Sequence, residues 1–438
     1  MENILKINKH IKPYKKTIFV SGDKSLSIRW ALLSSLSNGK SISTNLLKSE
    51  DIISTLNCLK KFGVRYKFEK NKCSIFGVGL NGYKHKKNLV LNAGNSGTLS
   101  RLILGILVHY PLKVKIIGDR SLSKRDFKRV TEPLEKFGAK FETNKGKLPI
   151  YITGTSKPKS IEYLENKGSA QCKSSVMLAA INTPGRTIIK AKKSRDHTEI
   201  LFKHLNIPIR VIEGKKFDLI KINKANKIRN LNYKIPSDIS SAAFFIVLTA
   251  LIDKSELIIK NVNINPSRTG VIKILKMMGV RLFYKNIRLY KGEKTADIKI
   301  ISAKKLKAIN CPEYLNSAAI DEFLIIFLVA AKAKGVSYFA NLSELNQKES
   351  PRLKWGSKIL NLMGIKTKIT DNSIKIFGNP NLKINKKITI KNYQKDHRVF
   401  MASVIAALSF GGKWTIHDKD SVKTSFPTFL RILNSIRK

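Results

Sequence analysis

Residues 21–36 read SGDKSLSIRWALLSSL and join a polar, cationic stretch to an apolar segment of helical length. The same join recurs later in the chain, in NSGTLSRLILGILV (95–108), SAQCKSSVMLAAI (169–181), PSDISSAAFFIVLTAL (236–251), IDEFLIIFLVAA (320–331) and KDHRVFMASVIAAL (395–408). The apolar onsets fall at Ala31, Leu102, Val176, Ala242, Phe323 and Val399, at intervals of 66 to 81 residues. This spacing predicts one structural unit used six times.

The apolar segments are hydrophobic nearly all round, which predicts helices buried inside a larger body. The polar stretches before them carry Ser, Thr, Asp, Asn or Gly, and ordinary capping of the helix start explains any single one. A helix N-terminus also attracts anions through its free N–H groups and its dipole. Several cations cluster at these positions, so we expect a shared anion site; the cations are Lys24, Arg29, Arg101, Lys173 and Arg398.

Each unit continues with a β segment, an amphipathic helix and a hairpin. The pattern predicts that the amphipathic helices end at glycine or asparagine stops, namely Gly63, Gly138, Asn206, Gly279 and Gly364. The sixth copy stops at its helix, FPTFLRILNSIRK, which leaves its sheet short of a strand. Residues 4–20 alternate as a strand does, and we expect them to pair with the C-terminal half. The chain would then cross between two halves near residues 21–24 and again near 233–238.

The 438 residues contain 42% hydrophobic side chains, enough for two or three globular domains with a large core. The apolar runs are broken before the ~20 residues that a membrane span needs. Residues 1–20 lack the apolar core of a signal peptide. Four widely spaced cysteines, Cys58, Cys73, Cys172 and Cys311, fit reduced thiols. We therefore expect a soluble cytoplasmic protein that does not bind membranes.

The net charge of +53 raises a second hypothesis, a nucleic-acid-binding module. Such a protein concentrates its charge in a stripe or tail, often with Arg and stacking aromatics. Here 17 of the 83 basic residues are Arg, and Lys is spread through every repeat. This distribution favours solvated Lys-rich surfaces and no specific nucleic-acid partner. The nucleic-acid hypothesis predicts steeply salt-dependent RNA binding.

The glycine pattern GVGLNG (77–82) matches GxGxxG, which binds dinucleotides only when it ends a strand and opens a helix. The following residues, YKHKKN, are typical of a loop. We therefore expect no dinucleotide here.

A series of short motifs, in order along the chain, resembles the enolpyruvyl transferase family. The motifs are SGDKSLSIR, GNSGTLSR, GDRSLSKR, GSAQCKS, SRDHTE, PSDISSAAFF, NPSRTG, AIDE, QKESPR, KDHR and KTSFP. The resemblance runs from about residue 12 to the C-terminus. It implies an α/β fold of two similar domains, each made of three βαβαββ-type repeats with buried helices in an inverse α/β barrel-like arrangement. The domains would be 22–236, and 1–21 plus 237–438, with the active site in a cleft between them.

The motifs are most similar to the branch that transfers the enolpyruvyl (carboxyvinyl) group of phosphoenolpyruvate to the 5-hydroxyl of shikimate 3-phosphate, releasing phosphate. This reaction belongs to chorismate and aromatic amino acid biosynthesis. The resemblance implies a monomer with two small-molecule substrates and neither a metal nor an organic cofactor. The two substrates carry roughly five negative charges together, so their site requires several cations.

The resemblance also implies roles for individual residues. Asp321 would be the base toward the 5-hydroxyl, and Glu349 and Lys24 would move protons at the phosphoenolpyruvate methylene. The residues implied for shikimate 3-phosphate are Lys24, Ser25, Arg29, Ser169, Gln171, Ser194, Asp321 and Lys348. Those implied for phosphoenolpyruvate are Lys24, Asn95, Gly97, Arg125, Gln171, Arg352 and Arg398.

Two further observations concern which branch of the family the chain resembles and where it departs from that branch. A sister branch acts on a UDP-linked aminosugar, and many of its members use a cysteine five residues before the equivalent of Arg125. This chain has Arg120 there, and no cysteine lies between Cys73 and Cys172. The sequence departs from its relatives at Pro351, which lacks a backbone donor, and at Thr424, which stands where some relatives have lysine.

Overall fold

The computed structural model describes residues 3–69, 71–84 and 88–437, which divide into two compact units. The N-terminal unit contains residues 22–235 together with 290–293. The C-terminal unit contains residues 3–21, 236–289 and 294–437. Each unit has its own hydrophobic core.

The helices are α1 (Lys24–Ser35), α2 (Glu50–Lys60), α3 (Gly97–Leu107), α4 (Lys128–Glu135), α5 (Ala170–Ala180), α6 (His197–His204), α7 (Ile239–Leu251), α8 (Gly270–Met277), α9 (Asn316–Ala319), α10 (Phe323–Lys332), α11 (Arg352–Leu362), α12 (His397–Phe410) and α13 (Phe429–Arg437). Short 3₁₀ turns occupy Leu122–Lys124, Glu313–Leu315, Ser343–Gln347 and Lys419–Thr424.

The strands are β1 (Ile4–Ile7), β2 (Lys15–Ile18), β3 (Asn38–Thr44), β4 (Arg65–Glu69), β5 (Lys72–Val78), β6 (Leu89–Asn92), β7 (Lys113–Ile117), β8 (Lys140–Asn144), β9 (Lys147–Thr153), β10 (Glu162–Glu165), β11 (Arg186–Lys192), β12 (Ile209–Ile212), β13 (Phe217–Asn223), β14 (Tyr233–Lys234), β15 (Glu256–Asn263), β16 (Arg281–Tyr290), β17 (Glu293–Ile301), β18 (Gly335–Phe339), β19 (Thr367–Ile369), β20 (Ile374–Gly378), β21 (Ile384–Ile390) and β22 (Gly411–His417).

Within the described residues these strands form six small sheets, as the sixfold repeat predicts. Their strand orders are β14-β3-β5-β4, β6-β7-β9-β8 and β10-β11-β13-β12, followed by β16-β17-β15-β2, β18-β20-β19 and β1-β22-β21. The hairpins are antiparallel, and in five of these sheets a further strand is parallel to its neighbour. No sheet closes into a barrel in the part of the chain that is described. The mixed α/β class is confirmed.

The N-terminal segment completes the short sixth sheet. Strand β1 pairs antiparallel with β22, from Ile4 opposite His417 to Ile7 opposite Trp414. The expected pairing of residues 4–20 with the C-terminal half is therefore confirmed. Strand β2 also pairs in this half, with β15, whereas β14 precedes α7 but pairs with β3. The sequence predicted which half β2 pairs in but not its partner strand, and it did not predict the pairing of β14.

The six apolar segments form α1, α3, α5, α7, α10 and α12, and most of their side chains are buried. All residues of α7 are buried. Helices α3 and α5 pack so closely that a Cβ at Gly105 in α3 would lie 2.1 Å from the Ser175 carbonyl oxygen in α5. These helices are therefore interior elements, and their N-termini are the parts that remain available for chemistry.

The predicted stops after the amphipathic helices are confirmed. The backbone is left-handed at Gly63 (φ 86°), Gly138 (φ 105°), Asn206 (φ 56°), Gly279 (φ 89°) and Gly364 (φ 90°). Glycine and asparagine adopt this conformation most readily. Each stop lets the chain turn from a helix into the first strand of a hairpin.

The described residues contain no helix that is both long enough and apolar enough to cross a membrane. All four cysteines are buried and free. The first two residues of the GVGLNG motif end β5, and the next described element is the strand β6. Part of the YKHKKN continuation, residues 85–87, lies outside the described residues.

Candidate active site

The polar residues ahead of the buried helices cap them. A side-chain oxygen of Asp23, Ser96, Ser169, Asp238 or Asp396 accepts a backbone N–H in the first turn of its helix, at 2.8 to 3.3 Å. Glu322 precedes α10 without such a bond. The caps satisfy one donor each and leave other N–H groups and the adjacent cations to face a ligand.

In the N-terminal unit, Asn95 and Arg125 lie together at the start of α3. The Arg125 guanidinium donates to Asn95 Oδ1 at 3.2 Å, and Asn95 Nδ2 donates to Asp119 Oδ2 at 2.7 Å. A Cβ at Gly97 would lie 2.8 Å from Arg125 Nη1 and 2.9 Å from Arg101 Nη1. Glycine at this position therefore lets two guanidinium groups approach the helix N-terminus.

Arg101 is a candidate site residue that belongs to the cations expected at the helix starts but not to the substrate-binding residues that the resemblance implies. Burial lowers its pKa to about 10, and the nearby positive charge of Arg125 acts in the same direction. Two cations held near one helix start repel each other, and a bound anion relieves that repulsion. This pair therefore supports the expected anion site at α3.

Side chains of α5 form hydrogen bonds with residues of both α3 and α1. Arg101 Nη1 donates to Gln171 Oε1 at 2.9 Å, and Gln171 Nε2 donates to Thr98 Oγ1 at 2.9 Å. One turn later, Ser174 Oγ accepts from Arg29 Nη2 at 3.0 Å, and Arg29 Nε donates to Thr198 Oγ1 at 2.8 Å. The predicted residues Arg29 and Gln171 are thus held by neighbouring turns of one helix.

The remaining predicted residues of this unit lie at three places. Lys24 Nζ is 3.2 Å from Asp51 Oδ2 on α2, and Ser25 accepts from Arg29 Nη1 through its carbonyl oxygen at 3.2 Å. Ser169 caps α5. The Ser194 hydroxyl is buried and has no hydrogen-bond partner among the described residues. A buried hydroxyl without a partner costs free energy, so it is a good candidate for a ligand contact.

In the C-terminal unit, Arg352 is clamped by Asp396. Its Nε donates to Asp396 Oδ2 at 2.9 Å and its Nη2 to Asp396 Oδ1 at 3.3 Å. Burial would lower the pKa of Arg352, but the carboxylates of Asp396, Glu349 and Asp321 outweigh burial and raise it. Burial would likewise raise the pKa of Asp396, and the Arg352 guanidinium outweighs burial and lowers it. The pair is therefore charged in the folded protein.

The predicted residues of this unit form one network around Arg352. Asp321 Oδ1 lies 3.3 Å from Lys348 Nζ and 3.4 Å from Arg352 Nη1. Glu349 accepts from Arg352 Nη2, and Arg398 Nη1 donates to the Asp321 carbonyl oxygen at 2.7 Å. Among the predicted residues, two carboxylates thus lie beside three cations, and Asp396 and Glu322 also pair with Arg352 and Arg398. Carboxylates and cations placed side by side can both bind anions and transfer protons.

Sequence reasoning missed Asp396, although a signal was present. It stands two residues before Arg398 in KDHR, where an acidic helix cap is typical. Because it caps α12 and holds Arg352, one buried carboxylate positions Arg352 and Arg398, two of the three arginines predicted to bind phosphoenolpyruvate.

The chain departs from the family pattern at Pro351 and Thr424, and the structure accommodates the first but does not explain the second. Pro351 immediately precedes α11 with φ −70°, a value that its ring allows, and makes no side-chain capping bond. Thr424 Oγ1 lies 3.4 Å from His397 Nδ1, whereas Lys423 is exposed and pairs with Asp420 at 3.1 Å. Nothing in the structure explains the threonine. No cluster of three or more potential metal-binding side chains is found among the described residues.

The chain matches the model of one protein family, described as EPSP synthase (3-phosphoshikimate 1-carboxyvinyltransferase), over residues 8–433. It is 42% identical over 418 residues to the 3-phosphoshikimate 1-carboxyvinyltransferase of Ruthia magnifica subsp. Calyptogena magnifica, covering 95% of this chain and 94% of the relative. The enzyme of the same name from Vesicomyosocius okutanii subsp. Calyptogena okutanii is 42% identical over 419 residues, with coverage of 95% and 94%.

The fold agrees with a solved structure. EPSP synthase from Acinetobacter baumannii superposes with a TM-score of 0.87 at 36% identity, covering 99% of this chain and 98% of that one. The similarity thus extends over both units and includes the motifs that carry the candidate site residues. The chain belongs to the EPSP synthase family.

Proposed function

We propose that this chain transfers the enolpyruvyl group of phosphoenolpyruvate to the 5-hydroxyl of shikimate 3-phosphate and releases inorganic phosphate. The observation that carries the proposal is the position of Asp321 beside Lys348, Arg352 and Arg398. A carboxylate among anion-binding cations is what a proton transfer between two anionic substrates requires. Family membership supplies the identity of the substrates.

We propose that phosphoenolpyruvate is held by residues of both units. Asn95, Gly97, Arg125 and Gln171 would contribute from the N-terminal unit, together with Lys24, while Arg352 and Arg398 would contribute from the C-terminal unit. The convergence of Arg101 and Arg125 on the start of α3 supports an anion there. Each charge-assisted hydrogen bond to phosphate or carboxylate contributes about 1.5–3 kcal/mol.

Shikimate 3-phosphate would lie mainly against the N-terminal unit. Its proposed contacts there are Lys24, Ser25, Arg29, Ser169, Gln171 and Ser194, and those in the C-terminal unit are Asp321 and Lys348. The buried Ser194 hydroxyl supports this assignment because a phosphate oxygen would satisfy its missing hydrogen bond.

In the proposed chemistry, the oxygen of the 5-hydroxyl bonds to C2 of phosphoenolpyruvate, and Asp321 accepts the proton that this hydroxyl loses. A proton added to the C3 methylene gives a tetrahedral adduct. Loss of a methyl proton then restores the double bond as the bond from C2 to the phosphate oxygen breaks, and phosphate leaves with the bonding electrons. Glu349 and Lys24 are the proposed groups for the proton at C3.

We also propose that the functional domains are residues 22–236 and residues 1–21 plus 237–438, acting on one substrate pair. The buried free thiols support a cytoplasmic location. A monomer is the proposed state because the candidate residues of both units come from a single chain.

Phosphate release tests the proposal. The purified chain is incubated with phosphoenolpyruvate alone, with shikimate 3-phosphate added, and with a UDP-linked aminosugar in its place. We expect release only with shikimate 3-phosphate. A folded sample that releases no phosphate with this acceptor, or that responds equally to the aminosugar, contradicts the proposal. Salt-dependent RNA binding without phosphate release would instead support the nucleic-acid hypothesis.

A further inference from the structure

The turn between β16 and β17 is structurally part of the N-terminal unit, although most of both strands belongs to the C-terminal unit. We call this turn, Tyr290–Glu293, the hairpin tip. Lys291 and Gly292 have φ values of 51° and 85°. Two successive positive φ angles are typical of a tight type I′ hairpin turn. The tip is therefore a compact element whose side chains have defined directions.

The hairpin tip is anchored on β14 and α6. The backbone N–H of Lys234 donates to the Tyr290 hydroxyl at 3.0 Å, and the Tyr233 and Tyr290 rings are 5.4 Å apart. Lys291 Nζ donates to the Asn232 carbonyl oxygen. A Cβ at Gly292 would lie 2.7 Å from Ile200 Cγ2 in α6. The contact with α6 is close enough to require glycine.

At the end of the hairpin tip, Glu293 meets the first residue of α6. Its Oε1 lies 2.6 Å from His197 Nδ1, and both side chains are fully buried. His197 Nε2 has no hydrogen-bond partner in the described ranges. The short contact between two fully buried side chains fixes the direction of the His197 ring.

The next two residues of α6 bind other parts of the candidate site. Thr198 Oγ1 accepts from Arg29 Nε at 2.8 Å and lies 2.7 Å from Ser174 Oγ. Glu199 Oε1 lies 2.5 Å from Lys173 Nζ on α5, in a pair that is almost completely buried. Three consecutive side chains of one helical turn therefore point to the hairpin tip, to α1 and to α5.

We propose that Glu293 is a positioning residue for the shikimate 3-phosphate part of the site, an inference that rests on the proposed function. Through His197 it sets the first turn of α6. That turn holds Arg29 through Thr198, and Ser194 lies three residues before it. The described hydrogen bonds of this turn reach Arg29 and α5, whereas the predicted phosphoenolpyruvate residues Arg125 and Arg352 bond to Asn95 and Asp396. Loss of Glu293 is therefore expected to weaken one substrate selectively.

The test compares three variants of the full chain by equilibrium binding of shikimate 3-phosphate and by steady-state kinetics. Glu293→Ala removes the acceptor, Glu293→Gln retains an acceptor of the same shape, and Ile152→Val in β9 weakens the core of the same unit away from α6. Glu293→Asp shortens the side chain by one methylene and replaces the alanine variant if that variant does not fold.

We expect the dissociation constant for shikimate 3-phosphate to rise about tenfold or more in Glu293→Ala, while the KM for phosphoenolpyruvate at saturating acceptor stays within about twofold of wild type. Glu293→Gln should recover most of the affinity, and Ile152→Val should lose stability without losing affinity. Unchanged affinity in Glu293→Ala, or an equal loss in Ile152→Val, overturns the inference. A wild-type chain that binds no shikimate 3-phosphate overturns the proposed function instead.

Discussion

The carboxylate of Asp396 accepts two hydrogen bonds from the guanidinium of Arg352, with Nε at 2.9 Å and Nη2 at 3.3 Å. Ser350 Oγ donates to the same carboxylate at 2.9 Å, and the Arg398 backbone N–H does so at 2.9 Å. Asp396 is itself fully buried. This one side chain therefore determines where two candidate phosphoenolpyruvate-binding arginines lie.

Replacement of Asp396 by asparagine should weaken the use of phosphoenolpyruvate. Asparagine keeps the shape but removes the charge opposite a buried guanidinium, a loss that costs about 2–5 kcal/mol. We expect kcat/KM for phosphoenolpyruvate to fall by about a hundredfold or more, and binding of shikimate 3-phosphate in the absence of phosphoenolpyruvate to change little. Steady-state kinetics and calorimetry measure the two quantities. A variant with kcat/KM near the wild-type value would show that Arg352 does not depend on this carboxylate.

The same pair predicts a pH dependence of stability. The pKa of Asp396 is lower in the folded chain than the value of about 3.9 expected when unfolded. The contribution of ionised Asp396 to the free energy of unfolding is therefore fully present above about pH 5, and it is lost as the pH falls through the folded pKa. Chemical denaturation of wild type and Asp396→Asn should show a stability difference that shrinks below about pH 4. Asp253→Asn, at an exposed carboxylate, should show almost no difference at any pH. A stability difference between wild type and Asp396→Asn that is constant down to pH 3 would contradict the lowered pKa of Asp396.

Replacement of Asp321 by asparagine removes the proposed base. General acid–base groups contribute about 10²–10⁴-fold to rate, and we expect turnover to fall within that range. Affinity for shikimate 3-phosphate should stay within about threefold, because asparagine keeps an oxygen that can accept from the ligand. Asp371→Asn, at an exposed carboxylate of the same unit, serves as the control. Near-normal turnover in Asp321→Asn would mean that another group takes the proton.

The buried hydroxyl of Ser194 predicts an unusual combination of effects. Because it has no partner among the described residues, Ser194→Ala should change the free energy of unfolding by less than about 0.5 kcal/mol. A lost hydrogen bond to a charged phosphate costs about 1.5–3 kcal/mol, so affinity for shikimate 3-phosphate should fall at least tenfold. Thermal denaturation and calorimetry measure both, with the exposed Ser156→Ala as the control. Unchanged affinity would remove Ser194 from the site.

Local patterns in the sequence were sufficient to predict the sixfold repeat and cations at the helix starts, whereas the roles of the candidate site residues came from the family resemblance. The spacing of apolar onsets matches the six sheets of the described residues, and Gly63 or Asn206 marks a helix end because its left-handed backbone disfavours most other residues. Five of the six helices begin earlier than their apolar onsets: α1 starts at Lys24, well before Ala31, whereas α10 starts at its onset, Phe323. Capping by Asp23 explains the earlier start.

Contacts between distant segments could not be predicted in this way. Asp396 and Arg352 are 44 residues apart, and Glu293 and His197 are 96 apart, so neither pair leaves a periodic signal. The partner strands of β2 and β14 could not be predicted locally either, because a short parallel edge strand has no pattern that identifies its neighbour. Packing, which sequence periodicity does not encode, decides these pairings.

The fate of the bridging oxygen of phosphoenolpyruvate tests the central claim most directly. Phosphoenolpyruvate labelled with oxygen-18 between C2 and phosphorus is incubated with shikimate 3-phosphate and the purified chain, and both products are examined by mass spectrometry. Enolpyruvyl transfer predicts that the label appears in inorganic phosphate and that the acceptor gains the mass of one enolpyruvyl group. Label retained in pyruvate, or an acceptor of unchanged mass in a sample that consumes phosphoenolpyruvate, would contradict the account.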